Sequence, residues 1–222
     1  MIRDMEGNVV PVGKTIRKME ECFFTTTLPG WMQLNGNGGQ SSKVVLPHED
    51  YGYIQVSTGA AIDSEASIDL LPNGVDMSKI KEIVIELDSL VFSSNENDIE
   101  FYLQLYSADK NNGICFFGSK DLTKGSYMRA KNETSPALDI EVFYYNILRL
   151  EEWKRRKNLV MRVRNNGTII IGEGDNTFLE YKFTTTRLNL QKVLYPKVLV
   201  KTKVDSSQWM RISRVGLTLF HN

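Results

Sequence analysis

Alternation of apolar and polar residues with a period of two constrains the fold of this chain more than any other feature of its sequence. In IKEIVIELDS (residues 80–89) the apolar set is Ile83, Ile85 and Leu87. In DIEFYLQLYSA (residues 98–108) the apolar set is Ile99, Phe101, Leu103 and Leu105. Successive side chains of a strand point to opposite faces, so each segment is predicted to be a strand with one face in a core.

Shorter segments along the rest of the chain repeat this pattern. They are YGYIQVS, ASIDLLP, LDIEVFYY, NLVMRVR, TIII, LEYKF, KVLVKTKV and RVGLTLF. Asn166-Gly167 separates two of them and predicts a hairpin with a type I′ turn, which needs positive φ at both central residues. Only residues 147–157 show a pattern that fits a short helix. Many short strands with one apolar face each predict an all-β fold of two antiparallel sheets packed face to face.

Length and composition predict one main domain. A chain of 222 residues, 41% of them hydrophobic, is long and apolar enough to form a single large sandwich. We predict that this domain spans residues 22–222. Residues 1–21 contain GNVVPVG followed by charged residues, and we predict that they form an N-terminal arm or edge hairpin outside the sandwich.

Charge and the N-terminal sequence exclude several classes of partner. The chain has 27 basic and 27 acidic residues, so no net field draws it to nucleic acid or to an anionic membrane. The N-terminal MIRDMEGNVVPVG carries acidic residues and lacks a long apolar run, so neither a signal peptide nor a membrane anchor is predicted. We expect synthesis in the cytoplasm, with later release inside a particle or by lysis still open. Cys22 and Cys115 lie beside phenylalanines and are predicted to be buried free thiols.

Several segments together resemble a known group of folds. They are PGW with the Gly-rich turn after it, the strand IKEIVIELD, the block WKRRKNLVMRVRNNGTIIIGEGDNTFLEYKF, and the closing WMRISRVGLTLFHN, which looks like a terminal strand returning to pair beside the first. Over about residues 22–222 the chain resembles the concanavalin A-like lectin/glucanase group of jelly rolls. The resemblance implies a jelly-roll β-sandwich that binds or cleaves glycans on its concave sheet or at the rim loops. More weakly, a short chain without a signal peptide resembles the adhesion or decoration proteins of bacteriophage particles.

The sequence lacks the catalytic motif of the glucanases in this group. Those enzymes carry Glu-x-Asp-x-Glu, which supplies a nucleophile and a general acid/base about 5 Å apart. The nearest match begins at Glu86 and Asp88, but the positions of the second glutamate hold Leu90 and Val91. Without that residue the leaving group has no proton donor. We therefore predict no catalytic residues.

No metal or cofactor is predicted either. The two histidines, His48 and His221, do not provide a zinc site or a catalytic triad. SNEND (94–98) and GEGDN (172–176) hold oxygen ligands, but their spacing fits ordinary turns better than a calcium loop.

A stripe of outward residues on one predicted strand is the main candidate for a binding site. Sugars need aromatic faces for their C–H surfaces and polar partners for their hydroxyls. Tyr102, Gln104 and Tyr106 meet that need, and Phe143 with Tyr145 would add to it if the two strands share a sheet. Tyr51 and Tyr53 are candidates for a rim. These rings are equally able to cover the N-terminal arm or a neighbouring subunit.

Trp31 is a further candidate, although Pro29-Gly30 places it at a strand entry and favours core or rim packing. The basic residues 154–157, with Arg162 and Arg164, fit a solvated strand edge. An acidic wall polymer or an acidic subunit is the alternative partner for that cluster.

Together these observations predict a non-catalytic carbohydrate-binding or adhesion module. Its expected setting is a phage virion that binds a bacterial surface glycan, with other virion proteins or further copies of the chain as additional partners. Two alternatives stay open. The chain would be a purely structural subunit of a tail, baseplate or capsid, or a glycoside hydrolase or lyase with an unfamiliar site.

Overall fold

A computed structural model describes residues 17–23, 28–36, 42–48, 51–93, 99–119, 127–131, 140–143, 157–173, 179–184 and 189–221. Within these ranges the chain forms 17 strands and one short 3-10 turn at Met77–Lys79. The strands assemble into two sheets in which every ladder is antiparallel. The predicted all-β, two-sheet sandwich is confirmed.

The first sheet has nine strands. They are β1 (Arg17–Phe23), β3 (Ser42–His48), β4 (Tyr51–Ser57), β7 (Ile80–Phe92), β12 (Lys157–Arg164), β13 (Thr168–Glu173), β14 (Leu179–Thr184), β16 (Trp209–Ile212) and β17 (Arg214–His221). The main path runs β14-β13-β12-β7-β16-β4-β3, and β17 lies between β7 and β1.

The second sheet has eight strands. They are β2 (Met32–Gly36), β5 (Glu65–Leu70), β6 (Val75–Asp76), β8 (Ile99–Tyr106), β9 (Gly113–Ser119), β10 (Tyr127–Lys131), β11 (Ile140–Phe143) and β15 (Val193–Thr202). Its main path runs β11-β10-β9-β8-β15-β5-β2, so the strands β8, β15 and β5 are direct neighbours.

The core lies between the two sheets and follows the period-two pattern of the sequence. Ile83, Ile85 and Leu87 on β7 are fully buried. On β8, Phe101 is fully buried and meets Phe92 of the opposite sheet edge to face, with ring centroids 5.3 Å apart. The alternate residues Tyr102, Gln104 and Tyr106 of β8 are only half-buried, since they point away from the core.

The two ends of the described chain meet in the nine-stranded sheet. β17 pairs with β7 on one side and with β1 on the other, where Arg17 stands opposite Phe220. The predicted return of the terminal strand to the first is therefore confirmed. Residues 17–21, placed in the arm on sequence grounds, lie in β1. Residues 1–16 are outside the described ranges, and an arm there stays a prediction.

The hairpin between β12 and β13 differs from its prediction. Its loop holds three residues, Asn165, Asn166 and Gly167, and the Gly167 N–H donates to the Arg164 carbonyl at 3.0 Å. Only Gly167 has a positive φ, at +80°. The predicted type I′ turn is therefore wrong, because such a turn needs positive φ at both central positions. The hairpin loop instead consists of a tight turn that ends in Gly167, whose backbone is in the left-handed conformation.

Two other predictions are partly covered by the structure. Cys115 is a buried free cysteine, as predicted. The structure does not describe the Cys22 side chain, so its burial stays a prediction. The helix predicted at 147–157 falls outside the described residues except for Lys157, which begins β12. Among the described residues no helix has the length and apolar character needed to cross a bilayer.

Candidate functional site

A groove of about 370 Å³ lies on the outer face of the eight-stranded sheet. Its floor comes from the neighbouring strands β5, β15 and β8, and its walls come from the loops at residues 71–72 and 107–110. All three members of the predicted stripe, Tyr102, Gln104 and Tyr106, line this groove. Their outward direction follows from the burial of the residues between them.

The strand register aligns the floor in cross-strand rows. Gln104 stands opposite Lys197, and Lys197 stands opposite Asp69. One row further along, Tyr106 stands opposite Tyr195. Gln104 is half-buried, and among the described residues its amide makes no hydrogen bond. The groove therefore presents an amide with unused donors and acceptors between tyrosine rings.

Two glycines fix the rings at the loop end of the groove. A Cβ on Gly113 would lie 2.4 Å from Cδ1 of Tyr106, and one on Gly74 would lie 3.0 Å from Cε1 of Tyr195. Gly113 has φ of +151° and Gly74 has φ of +75°, where other residues are strained. The backbone of each glycine thus lies against a tyrosine ring and limits where that ring can move.

Tyr102 has a packing role as well as a place in the groove. Its ring lies 4.9 Å from the buried ring of Phe117 on β9, tilted by 58°. Its hydroxyl donates to Oε2 of Glu100 at 2.8 Å. The side chain is half-buried, so part of its ring supports the sheet surface and part faces the groove.

Asp69, on β5 at one side of the floor, is a carboxylate whose oxygens are already engaged. Lys197 Nζ lies 3.1 Å from Oδ1, which also accepts from the Ser67 hydroxyl at 3.2 Å. Asn35 Nδ2 donates to the second oxygen, Oδ2, at 2.5 Å. With three donors on one carboxylate, Asp69 is a structural anion held in place beside the groove.

A second group of charges lies beyond the Tyr102 end of the groove. Asp63 Oδ1 lies 2.8 Å from Lys203 Nζ and 3.1 Å from Lys201 Nζ. The hydrogen bond from Lys203, followed by that from Lys201, lowers the pKa of Asp63. Glu100 Oε2 and Glu65 Oε1 each lie 4.0 Å from one of these two lysines.

The turn at residues 107–112 forms one wall of the groove and is held by internal hydrogen bonds. The Asp109 carboxylate accepts from the Ser107 hydroxyl and from the Asn111 N–H, the latter at 3.1 Å. The hydrogen bond from Ser107 is the main cause that lowers the pKa of Asp109. Asn112 is fully buried, and its amide bonds the Asn189 backbone at both N (2.8 Å) and O (2.9 Å).

The loop at residues 71–74 forms the opposite wall and accounts for Trp31. The Leu71 N–H donates to the Trp31 carbonyl at 2.7 Å, and the Trp31 side chain packs against the core. Trp31 lines a separate shallow recess, which shares Leu71 and Pro72 with the groove. Trp31 is thus partly buried against the core and does not line the groove itself, and its part in binding stays a prediction.

Phe143 and Tyr145 are not brought to the groove by the described residues. Phe143 lies on β11, at the edge of the same sheet, and the register aligns it through Tyr127 and Phe117 with Tyr102. Three strand spacings separate it from β8, which is about 14 Å. The Phe143 side chain and all of Tyr145 are outside the described residues, and their role in binding stays a prediction.

Other candidates lie on the nine-stranded sheet. Arg214 bonds both Asp88 (2.7 Å) and Glu86 (3.4 Å), so this carboxylate pair is joined by a guanidinium. Tyr53 lies under Arg211, whose Cζ is 4.8 Å from the ring centre. The expectation that Tyr51 and Tyr53 form a rim is wrong for this groove, because β4 belongs to the opposite sheet. Within the described ranges no three metal-ligating side chains come together, and SNEND and most of GEGDN lie outside those ranges.

The sequence prediction missed Asp69, Tyr195, Lys197 and Lys110, all of which line the groove. The alternating pattern could have predicted the outward direction of two of them, Tyr195 and Lys197. Both alternate with buried residues, which are Leu194, Pro196 and Val198. What the pattern did not show is that β15 lies between β5 and β8.

Comparison with known proteins bears on the fold. No family model matches the sequence, and no curated protein matches it. The solved structure of SO2946 from Shewanella oneidensis MR-1, a protein of unknown function, matches with a TM-score of 0.64 at 8% identity, over 93% of this chain and 88% of that one. The carbohydrate recognition domain of Emp46p, in its potassium-bound form, matches with a TM-score of 0.56 at 14% identity, over 88% and 94%.

A third match is the CBM2 module of the evolved Dit of Lactobacillus casei BL23 phage J-1. Its TM-score is 0.57 at 10% identity, over 93% of this chain and 98% of that one. Peanut lectin and lectin II of Ulex europaeus match as well. The fold is the concanavalin A-like jelly roll. At these identities the likeness establishes the architecture, which confirms the resemblance found in the sequence.

Proposed function

We propose that the protein is a non-catalytic carbohydrate-binding module and that the groove on the eight-stranded sheet is its glycan site. One observation carries this proposal. Three tyrosines, Tyr102, Tyr106 and Tyr195, line a single groove together with Gln104, whose amide makes no hydrogen bond to any residue that the structure describes. Tyrosine rings cover the C–H faces of a sugar, and the amide donates to and accepts from its hydroxyls.

The size and rigidity of the groove fit this role. Small-ligand sites have volumes of about 300–1,000 Å³, and the groove, at about 370 Å³, lies at the lower end of that range. A short segment of one or two sugar rings is therefore the natural ligand unit. Because Gly74 and Gly113 limit the ring positions and Asn112 fixes one wall, little ordering is left to oppose binding.

The carboxylates support a binding role over hydrolysis. Glycosidases need one protonated and one ionised carboxyl group free to reach the scissile bond. Asp69 in the groove receives three donors, and Glu86 and Asp88 are held by Arg214. Neither set provides a free acid beside a free base.

The biological setting that we propose is a phage particle, in which the module attaches the virion to a bacterial surface glycan. Support comes from the shared fold with the CBM2 module of the phage J-1 Dit and with the carbohydrate recognition domain of Emp46p.

A glycan array extended to bacterial wall polysaccharides, followed by calorimetry on the hits, tests the proposal. Tyr106→Ala is expected to weaken binding about tenfold, since losing one ring face removes about 1.4 kcal/mol of contact. The matched control is Tyr53→Ala, which removes a half-buried tyrosine from the outer face of the opposite sheet and is expected to leave affinity unchanged.

Light scattering on the same samples distinguishes the proposed binding module from the main alternative. A purely structural particle subunit would give no glycan hits and a large defined oligomer, with the tyrosines buried against neighbouring copies. Release of reducing ends from a bound polysaccharide would instead show a hydrolase. Either result would refute the proposed function.

A further inference from the structure

The charged groups of the groove are arranged in a way that bears on which glycans it accepts. Four charged residues line it, and they are two acids, Glu65 and Asp69, and two bases, Lys110 and Lys197. Their formal charges sum to zero. The groove therefore has no excess of either sign to attract a charged ligand from a distance.

Pairing within the sheet removes most of the remaining local charge. Asp69 and Lys197 lie on adjacent strands, and Lys197 Nζ is 3.1 Å from Asp69 Oδ1. Their side chains are only 22% (Asp69) and 31% (Lys197) exposed. A ligand carboxylate that approached Lys197 would compete with Asp69 for the same ammonium group. It would also be repelled by the fixed carboxylate, whose other donors, Ser67 and Asn35, would hold it in place.

Protein carboxylates also pair with the lysines beyond the Tyr102 end of the groove. Lys201 and Lys203 are bound by Asp63, and each also lies 4.0 Å from a glutamate, Glu65 or Glu100. Hydrogen bonding to Asp63, with further attraction from Glu100, raises the pKa of Lys203. Lys201 on β15 and Lys203 just after that strand are thus already paired with protein carboxylates.

One cation on the rim has no such partner. Lys110 makes no ion pair with the described residues and lies exposed in the turn that forms the wall. An exposed ammonium in water interacts weakly with an incoming anion because the solvent and salt screen it. The lining residues that carry no charge include Gln104, with its amide, and the tyrosines Tyr102, Tyr106 and Tyr195.

We infer that the groove selects an uncharged glycan, built from neutral hexose or pentose units, and discriminates against uronic acids, sulfated sugars and phosphate-containing wall polymers. This inference rests on the proposed function, because it specifies the ligand of the same groove. The physical reason is that a neutral hydroxyl can bond Gln104 without disturbing the Asp69–Lys197 pair, whereas an anion must break or oppose that pair.

The test compares polymers that share a backbone and differ in charge. Suitable pairs are polygalacturonate with its fully methyl-esterified form, and sulfated galactan with its desulfated form. Purified wall teichoic acid is measured as well, as a phosphate-containing polymer. Binding is measured by calorimetry for the wild-type protein and for Gln104→Ala, with Gln55→Ala as the control. Gln55 is a half-buried glutamine on the opposite sheet, where it bonds Arg211 and Ser57.

The expected result has two parts. An uncharged member of a pair binds at least about tenfold more tightly than its charged partner, and Gln104→Ala weakens that binding several-fold while Gln55→Ala does not. Raising the salt concentration from about 50 mM to about 500 mM changes the affinity for the neutral polymer less than about twofold, because no ion pair forms with the ligand.

Other outcomes separate this inference from the proposed function. If a charged polymer binds more tightly, loses affinity with salt and depends on Gln104, the groove is a glycan site but the inference of a neutral ligand is wrong. If no polymer of either kind depends on Gln104, the groove is not a glycan site, and the proposed function and the inference fall together.

Discussion

The buried amide of Asn112 is the contact whose removal should have the largest effect on the wall of the groove. Its Nδ2 donates to the Asn189 carbonyl at 2.9 Å, and its Oδ1 accepts from the Asn189 N–H at 2.8 Å. Asn112→Ala removes both bonds and leaves the two backbone groups of Asn189 without these partners. Each net hydrogen bond is worth about 1 kcal/mol, and each partner left unsatisfied adds to the cost.

We therefore expect Asn112→Ala to lower the free energy of unfolding by about 3 kcal/mol. For a chain of this length such a loss lowers Tm by roughly 6–12 °C. Glycan affinity should fall as well, because the clamp joins the turn at 107–112 to the segment that begins at Asn189. Urea unfolding followed by tryptophan fluorescence, with calorimetric binding on the folded variant, measures both effects.

Asn111→Ala is the matched control for this variant. Asn111 is the adjacent residue of the same type, but it is exposed and its amide makes only a 3.4 Å contact with Asp109. Its replacement should change stability by less than about 0.5 kcal/mol. Equal losses in the two variants, or an Asn112→Ala protein as stable as wild type, would show that the amide clamp does not hold the wall.

Three further predictions follow from contacts in and around the groove. Tyr102→Ala should cost about 2 kcal/mol in urea unfolding, because the ring also packs on a buried phenylalanine of β9, whereas Tyr102→Phe keeps the ring and should cost only about 1 kcal/mol for the lost hydrogen bond to Glu100. Gly74→Ala should weaken glycan binding, because its Cβ would lie 2.5 Å from Val193 Cγ1 and 3.0 Å from the Tyr195 ring and so disturb the strand that carries both, while Gly30→Ala, with nothing within 4 Å of its Cβ, should be neutral in the same calorimetric assay. Hydrogen bonds that the Asp109 carboxylate accepts more strongly than the protonated acid does lower the pKa of Asp109, so the turn should stay ordered above pH 3.8, the ordinary value for an aspartate, and loosen as the pH falls through the lower folded pKa. Chemical shifts of the backbone amide two residues later, recorded between about pH 6 and pH 2, would detect this, and a turn equally ordered at both ends would contradict it.

Most of the sheet structure could be predicted from local pattern. The alternation in residues 98–108 placed Tyr102, Gln104 and Tyr106 on one outward face, and the structure puts them together in the groove. This prediction succeeds because the direction of a strand side chain depends only on its parity along the chain.

The rest of the site depends on contacts that local pattern does not encode. Tyr195 joins Tyr106 only because β15 pairs with β8, and nothing in either segment alone specifies that pairing. The residues around Trp31 in the sequence are typical of a sugar site. However, the Leu71 N–H donates to the Trp31 carbonyl, and Trp31 lines a separate recess rather than the groove. The hairpin at Asn166 differs from expectation because the chain uses one more residue in the turn than the Asn-Gly signal implies.

The position of β17 has a consequence for how the protein reaches its folded state. β17 is a late segment of the chain, yet it lies inside the nine-stranded sheet with β7 and β1 as its neighbours. Until β17 has left the ribosome, the edges of β7 and β1 that face it lack this partner and can pair with other chains. Pairing Arg17 with Phe220 also closes a very long loop, which slows folding. Recovery of folded protein should therefore depend on chaperone capacity and expression temperature, and removal of β17 should yield aggregates.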